Sequence, residues 1–547
     1  MAGLAATLGS GAMTNSLEEV LKAKVIFLVG SNPTCNHPVF GAMLKRAVKH
    51  NGARLIVADP RRIDMVNFAD VWLQHKNGTD VALLSGIQRI IFKEGLEAKD
   101  YLKERCEGHD EYLKSLDAFT PEAVEQITGV PAAKLYEAAR LYTSVRPGAL
   151  YYCMGITQHS HGVDNVKACV NLQLCTGNIG FEAAGVNPLR GQNNVQGACD
   201  MGGLPTVFTG YQPVTLPAAV EKFSKAWGAP LSDKAGLTLT EMIGVCGEKI
   251  RALYVMGENP MVSDPNLHHV EESLRKLDFL VVQDIFLTET ARMADVVLPG
   301  VSFAEKTGTF SNTERRVQLS RQAIRPTGNV RQDYEIIADL AELMGHKFPR
   351  TPQELFDEMR SLTPSYAGIT YERLRTVGIH WPCPNEEHPG TRFLHQGKFS
   401  RGLAMLTPLQ YKPSAELPDE EWDLVLSTGR LAEHYHTGSM TRRSLVLDAI
   451  VKTGYVQVHP EDAAAHSLSD GDLVAVATRR GRIETTVQIT DSVARKSIFV
   501  PFHFAEAAAN QLTNDVLDPV CKIPEYKVCA ARLERLSETG RRGGNVL

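Results

Sequence analysis

At 547 residues the chain is longer than one ordinary domain, so three or four hydrophobic cores are expected. Its 43% hydrophobic and 22% charged residues are those of a globular protein, and a net charge of −5 without a basic cluster argues against a nucleic-acid partner. No run of eighteen apolar residues could span a bilayer, and no positive charge of a secretory signal precedes Lys22.

The ten cysteines are scattered from Cys35 to Cys529 without a Cys-x-x-Cys pair. That argues against a zinc or iron–sulfur site made within this chain, and it fits a reducing compartment. A cytoplasmic location is the expectation.

The first quarter becomes informative beside the third. Val25–Val29 has the length and apolarity of a buried strand and ends at Gly30-Ser-Asn32-Pro33; a second such run, Arg54–Ala58, ends at Asp59-Pro-Arg61. A third, 69–73, precedes Lys76-Asn-Gly78-Thr-Asp80. From Ile250 the pattern repeats: an apolar run ends at Gly257-Glu258-Asn259-Pro260, another at Gln283-Asp284, and Ala294-Asp295 follows. The glycine-to-aspartate interval is 29 residues in one unit and 27 in the other, and the next Ala-Asp lies 11 residues further in both. This is an internal duplication. Each unit reads as strand, tight turn, helix, strand with a terminal carboxylate, the arrangement that brings a pyrophosphate to a helix N-terminus and an acid to a ribose or base. Two copies imply two nucleotide-like ligands, or one ligand with two nucleotide ends. Neither copy carries Gly-x-Gly-x-x-Gly, which disfavours an ordinary nicotinamide or flavin site.

Between the units, a strand ending near Cys153 leads into Met154-Gly155-Ile-Thr-Gln158-His159-Ser-His161. The two histidines lack zinc-site spacing and read as hydrogen-bonded or exposed groups, whereas Gln158 reads as a ligand contact. The stretch 185–203 is rich in glycine and amide side chains and carries Arg190, followed by Gly191-Gln192. Such a segment suits a backbone wrapped around a large polar ligand with one cation aimed into it. Residues 305–397 read as helical and connecting, with 363–390 as a turn-rich surface connection. Short β-rich runs begin at Leu424 and predict a β-barrel-like domain over 398–547, with polar loops holding Arg430, His434, His436, Ser439, Asn510, Tyr526 and Lys527. The fold class expected is therefore α/β, two nucleotide-binding doubly wound domains (1–192 and 193–304) plus the barrel.

Together these features resemble the molybdenum- or tungsten-dependent oxidoreductases that carry two pterin guanine dinucleotides, and within them the catalytic subunits of formate dehydrogenases. The most specific parts are the run from Gly185 through Arg190 to Gly202, Met154-Gly-Ile-Thr-Gln158 and Pro524-Glu-Tyr-Lys527. The resemblance implies bis(molybdopterin guanine dinucleotide) with Mo or W, formate and carbon dioxide as substrate and product, and Arg190 as the group that steadies the anion. It also implies electron-transfer partners such as iron–sulfur subunits. The residues expected to hold the dinucleotides are Gly30, Asn32, Asp59, Arg61, Gly78, Asp80, Gly155, Gln158, Gly191 and Gln192. In the second unit they are Gly257, Glu258, Asn259, Gln283, Asp284 and Thr288, with the seven barrel residues above.

In that family a [4Fe-4S] domain, then a cysteine or selenocysteine metal ligand with a neighbouring histidine, precedes the region matching Ala2-Gly-Leu. No cysteine here stands at the matching place, so no metal ligand is assigned. The expectation is an incomplete catalytic subunit, inactive alone, whose front is a separate chain or was lost to a selenocysteine codon read as a stop. Two further readings stay open: a related oxyanion reductase of the nitrate type, and a non-catalytic scaffold.

Overall fold

The computed structural model describes residues 1–536. Five parallel strands form the first sheet: β1 (Val25–Val29), β2 (Arg54–Ala58), β3 (Val71–Leu73), β4 (Gly148–Tyr152) and β5 (Val186–Pro188), in the order β3-β2-β1-β4-β5. Every residue of β1 and β4 is buried, as continuous apolar runs require when both faces of a parallel sheet are covered. One face packs on α3 (Asp80–Lys93) and α4 (Gly162–Cys175), the other on α2 (Pro38–Asn51), which follows the one-turn helix α1 (Pro33–Asn36). The strand order reverses direction between β1 and β4, and ligand crevices form at such switch points.

The second unit has three parallel strands, β6 (Ala252–Met256), β7 (Phe279–Asp284) and β8 (Val296–Pro299), in the order β8-β7-β6. Its helices are α5 (Pro260–Ser263) and α6 (Leu267–Leu274). The duplication holds at the level of single bonds. Gly30 (φ 54°) donates its N–H to Ala58 O at 3.0 Å, and Gly257 (φ 64°) donates to Gln283 O at 2.8 Å. Asp70 brackets Leu55, its Oδ2 accepting the Leu55 N–H at 2.8 Å and its own N–H donating to Leu55 O at 2.8 Å. Asp295 does the same to Leu280, at 2.7 and 2.9 Å.

Beyond the second unit the expected helices are present, Asp333–Leu343 and Pro352–Leu362 among them, but strands form beside them. Besides α7 (Asp333–Leu343), a three-stranded antiparallel sheet forms from β9 (Gly308–Ser311), β10 (Arg316–Ser320) and β11 (Ile379–His380). Residues 363–390 are not a surface connection. Tyr366, Ile369, Trp381 and Cys383 are buried with Phe356 in a core of their own. The reason is polar as well as apolar: buried Asp200 accepts from Tyr366 Oη, from Trp381 Nε1 at 2.8 Å and from Tyr211 Oη at 2.7 Å. Arg315, fully buried, donates to the carbonyls of Met13, Trp381 and Thr391 and ties the segment down.

The C-terminal strands β12 (Leu424–Gly429), β13 (Tyr455–Val458), β14 (Leu473–Ala477), β15 (Arg482–Ile489), β16 (Ser497–Pro501) and β17 (Cys529–Arg535) close into a barrel, in the order β12-β16-β13-β15-β14-β17. Alternation of buried and less buried residues along β12 and β15 fills its interior.

Candidate functional site: a cleft between two cradles and the barrel

A cavity of about 690 Å³ opens at the carboxyl ends of both parallel sheets, with the barrel loops as its roof. The first cradle contributes Gly30, Asn32, Asp59, Arg61, Gly78 and Asp80, and the second contributes Gly257, Glu258, Asn259, Gln283 and Asp284. Gly155, Gln158, Gly191 and Gln192 line it from the middle of the chain, and Arg430, His436, Ser439, Asn510, Tyr526 and Lys527 from the barrel side. The two duplicated turns thus face one space.

The backbone approach is close where β1 and β4 end. Gly155 N–H donates to Gly30 O at 3.1 Å, and a Cβ on Gly155 would stand 2.6 Å from that oxygen. Only glycine fits there, so the Gly155 turn can lie flat against the first cradle.

Three cations on the wall favour an anion beside them. Arg61 is half-buried, stacks 3.5 Å from the centre of the Phe499 ring and donates to Gln457 Oε1 at 2.9 Å. Lys527 Nζ donates to Thr428 O at 2.6 Å, and burial pulls its ammonium down to about 8. Arg430 donates to Gly191 O at 3.1 Å and to His436 Nε2 at 2.7 Å. Burial, reinforced by Arg430, pulls His436 down to about 3, so its imidazole is a neutral acceptor. None of these three cations is in an ion pair among the described residues. Burial pushes the Asp59 carboxyl up to about 6, against the pull of Arg61. Burial raises Asp284 as well. Half-buried cations without carboxylate partners carry a desolvation cost, and an anionic ligand would supply the missing charge.

Unpartnered buried atoms point the same way: Ser31 Oγ, Asn32 Oδ1, Asn36 Oδ1 and Arg61 Nε line or adjoin the first cradle without a hydrogen bond in the protein. A dinucleotide fits this donor set, with phosphates at the cations and the helix N-termini, and ribose and base at the carboxylates and amides.

Three nominated residues are not brought to the cavity wall. Thr288 Oγ1 accepts the Ala291 N–H at 3.2 Å and caps a turn. His434 is held by Val451 O at 2.7 Å and packs on Phe504. Arg190 lies beside the wall that Gly191 and Gln192 form; its guanidinium sits 3.3 Å from Met1 Sδ and 3.4 Å from Gly11 O, and its buried Nε has no partner.

Sequence reasoning missed other lining groups. His75 and His159 flank Asp80, His75 Nε2 at 3.0 Å from the carboxylate and His159 held by Gly155 O at 2.8 Å. Burial works against charge on His75, yet Asp80 raises it. Lys306 and Asp333 form an ion pair at the foot of the second cradle. The histidine five residues before Asp80 was a usable signal; the Lys306–Asp333 pair had none.

Comparison with known proteins now decides the family. Residues 4–343 match the molybdopterin oxidoreductase family and residues 424–530 the molydopterin dinucleotide binding domain. The chain belongs to the molybdopterin oxidoreductase family. Among its curated relatives, the F420-dependent formate dehydrogenase subunit alpha of Methanocaldococcus jannaschii is 49% identical over 98% of this chain and 80% of its own length. Formate dehydrogenase H of Escherichia coli is 39% identical over 98% of this chain and 76% of its own. Acetylene hydratase from Pelobacter acetylenicus shares the fold, with a TM-score of 0.77 at 21% identity, over 98% of this chain and 80% of that one. For this molybdopterin oxidoreductase, the barrel that roofs the cavity is the dinucleotide-binding domain. No described helix is long and apolar enough to cross a membrane.

Proposed function

We infer that the protein oxidises formate to carbon dioxide, or runs the reverse, at a molybdenum or tungsten centre carried by two pterin guanine dinucleotides. One observation carries the reading: both duplicated cradles open into a single cavity under a dinucleotide-binding barrel, in a chain whose relatives are formate dehydrogenases over 98% of its length.

In this reading each cradle holds one guanine dinucleotide. Gly30 and Gly257 let phosphates approach, and Asp59 and Asp284 take base or ribose hydrogens. Arg61, Arg430 and Lys527 balance the phosphate charge. The bound group supplies two-electron redox chemistry. The chain's own part is to bind, orient and exclude water. Arg190, whose guanidinium lies beside the cavity wall against Met1 Sδ and Gly11 O with no carboxylate partner among the described residues, is the group this reading assigns to the substrate carboxylate. Electron-transfer subunits receive the electrons, in the cytoplasm.

Metal and pterin analysis of the native protein, with formate-dependent dye reduction set against nitrate-dependent dye oxidation, tests this. The expected result is Mo or W with two pterins per chain and activity on formate. Metal-free protein, or activity on nitrate alone, would sink it.

A further inference from the structure

The loop that carries Arg190 is fastened by side chains from far along the chain. Leu189 N–H still donates to Tyr152 O at 2.7 Å, in register with β4. Beyond it the anchors change. Arg190 N–H donates to Thr313 Oγ1 at 3.1 Å, and that hydroxyl donates to Pro188 O at 2.8 Å. Arg190 O accepts from His37 Nε2 at 2.6 Å. Gly191 O accepts from Arg430 at 3.1 Å, and Asn193 N–H donates to Tyr435 Oη at 3.1 Å. A segment outside any strand, held by single side chains, keeps its orientation only while those side chains remain.

His37 is the anchor that joins this loop to the first cradle. It follows the one-turn helix Pro33–Asn36 directly, its N–H donates to Pro33 O at 3.0 Å, and it precedes Pro38 at the start of α2. Its ring is a neutral donor at Nε2: burial lowers its basicity, and Nδ1 is buried without a partner.

We propose that His37 is a positioning residue, holding the Arg190 carbonyl so that the guanidinium is aimed at the substrate anion and tying that aim to the cradle turn at Asn32–Pro33. The proposal rests on the role given to Arg190 above. Loss of one such hydrogen bond corresponds to roughly a fivefold effect on binding.

The test uses the native holoenzyme with His37→Ala and His37→Gln, the glutamine being able to donate from Nε2. In His37→Ala, KM for formate rises about fivefold with kcat within about twofold, and His37→Gln recovers most of the loss. The second readout is hydrogen–deuterium exchange of peptides over 186–196 and 25–29: His37→Ala speeds exchange in the first and leaves the second as in wild type. Unchanged exchange over 186–196 overturns the proposal, as does a fall in kcat at unchanged KM. A wild-type native holoenzyme, loaded with metal and pterins, without formate activity would refute the functional reading, while the exchange result would still decide whether His37 holds the loop.

Discussion

In the first cradle β1 runs between two neighbours and all five of its residues are 0% exposed. In the second, β6 is an edge strand, with Tyr254 38% and Met256 49% exposed and Phe279 of the adjacent β7 at 45%. Yet both have the same glycine turn, the same Asn-Pro entry into a one-turn helix and the same aspartate bracket on the next strand. The turn chemistry is local and survives at either depth. What differs is the depth of the strand that carries the turn, because only the first cradle's β1 has a neighbour on both sides.

The sharpest way to break this comparison is to add one methyl group to each turn. Gly30→Ala drives a Cβ to 2.8 Å from the Gly155 carbonyl carbon, and unfolding free energy should fall by about 3 kcal/mol or more. Gly257→Ala meets nothing within 4 Å and bears only the strain of a positive φ, about 1 kcal/mol. Equal losses in denaturant titrations would mean the two cradles are equally tight.

Titration comes next. The Asp59 carboxyl has a folded value of about 6, above its ordinary value near 3.9, so the native state holds the proton more tightly. Its contribution is full below pH ~4 and is lost as pH rises to ~6, by about 2–3 kcal/mol in the ligand-free chain. Asp59→Asn should flatten that part of the pH–stability curve; Asp284→Asn should change it less.

Arg61→Met removes a half-buried cation stacked on Phe499. Dinucleotide retention should weaken at least about tenfold while the ligand-free chain melts no lower than wild type. A lower melting temperature with unchanged retention would make Arg61 a purely structural group. The smallest effect belongs to Asp295→Ala, which frees the Leu280 N–H and should cost about 1 kcal/mol, visible as faster exchange confined to β7.

What was legible in the sequence follows the same division. Apolar runs such as Val25–Val29 and the repeated Gly-x-Asn-Pro and Ala-Asp pairs are local signals, and they marked both parallel sheets and the turns that face the cavity. The barrel showed itself in short alternating strands. Residues 363–390 misled because their prolines and glycines suit turns, whereas burial there is dictated by Tyr366 and Trp381 reaching Asp200 across more than 160 residues. Thr288 and His434 had the right chemistry in the right neighbourhood, but Thr288 caps its own turn and His434 turns to the Val451 carbonyl. The anchoring of Arg190 by His37 and Thr313, and of Gly191 by Arg430, is wholly non-local, and no pattern in one sequence encodes it.

Gly30 and Lys527 line the same cavity from nearly opposite ends of a 547-residue sequence. At translation speeds of ~5–20 residues per second, the first turn leaves the ribosome on the order of half a minute to a minute and a half before the lysine that will face it. During that interval the site has a floor and no roof. A chain that completes its roof without ligand leaves Arg61, Arg430 and Lys527 lining the cavity without carboxylate partners, so whatever anion loads the site also completes its electrostatics.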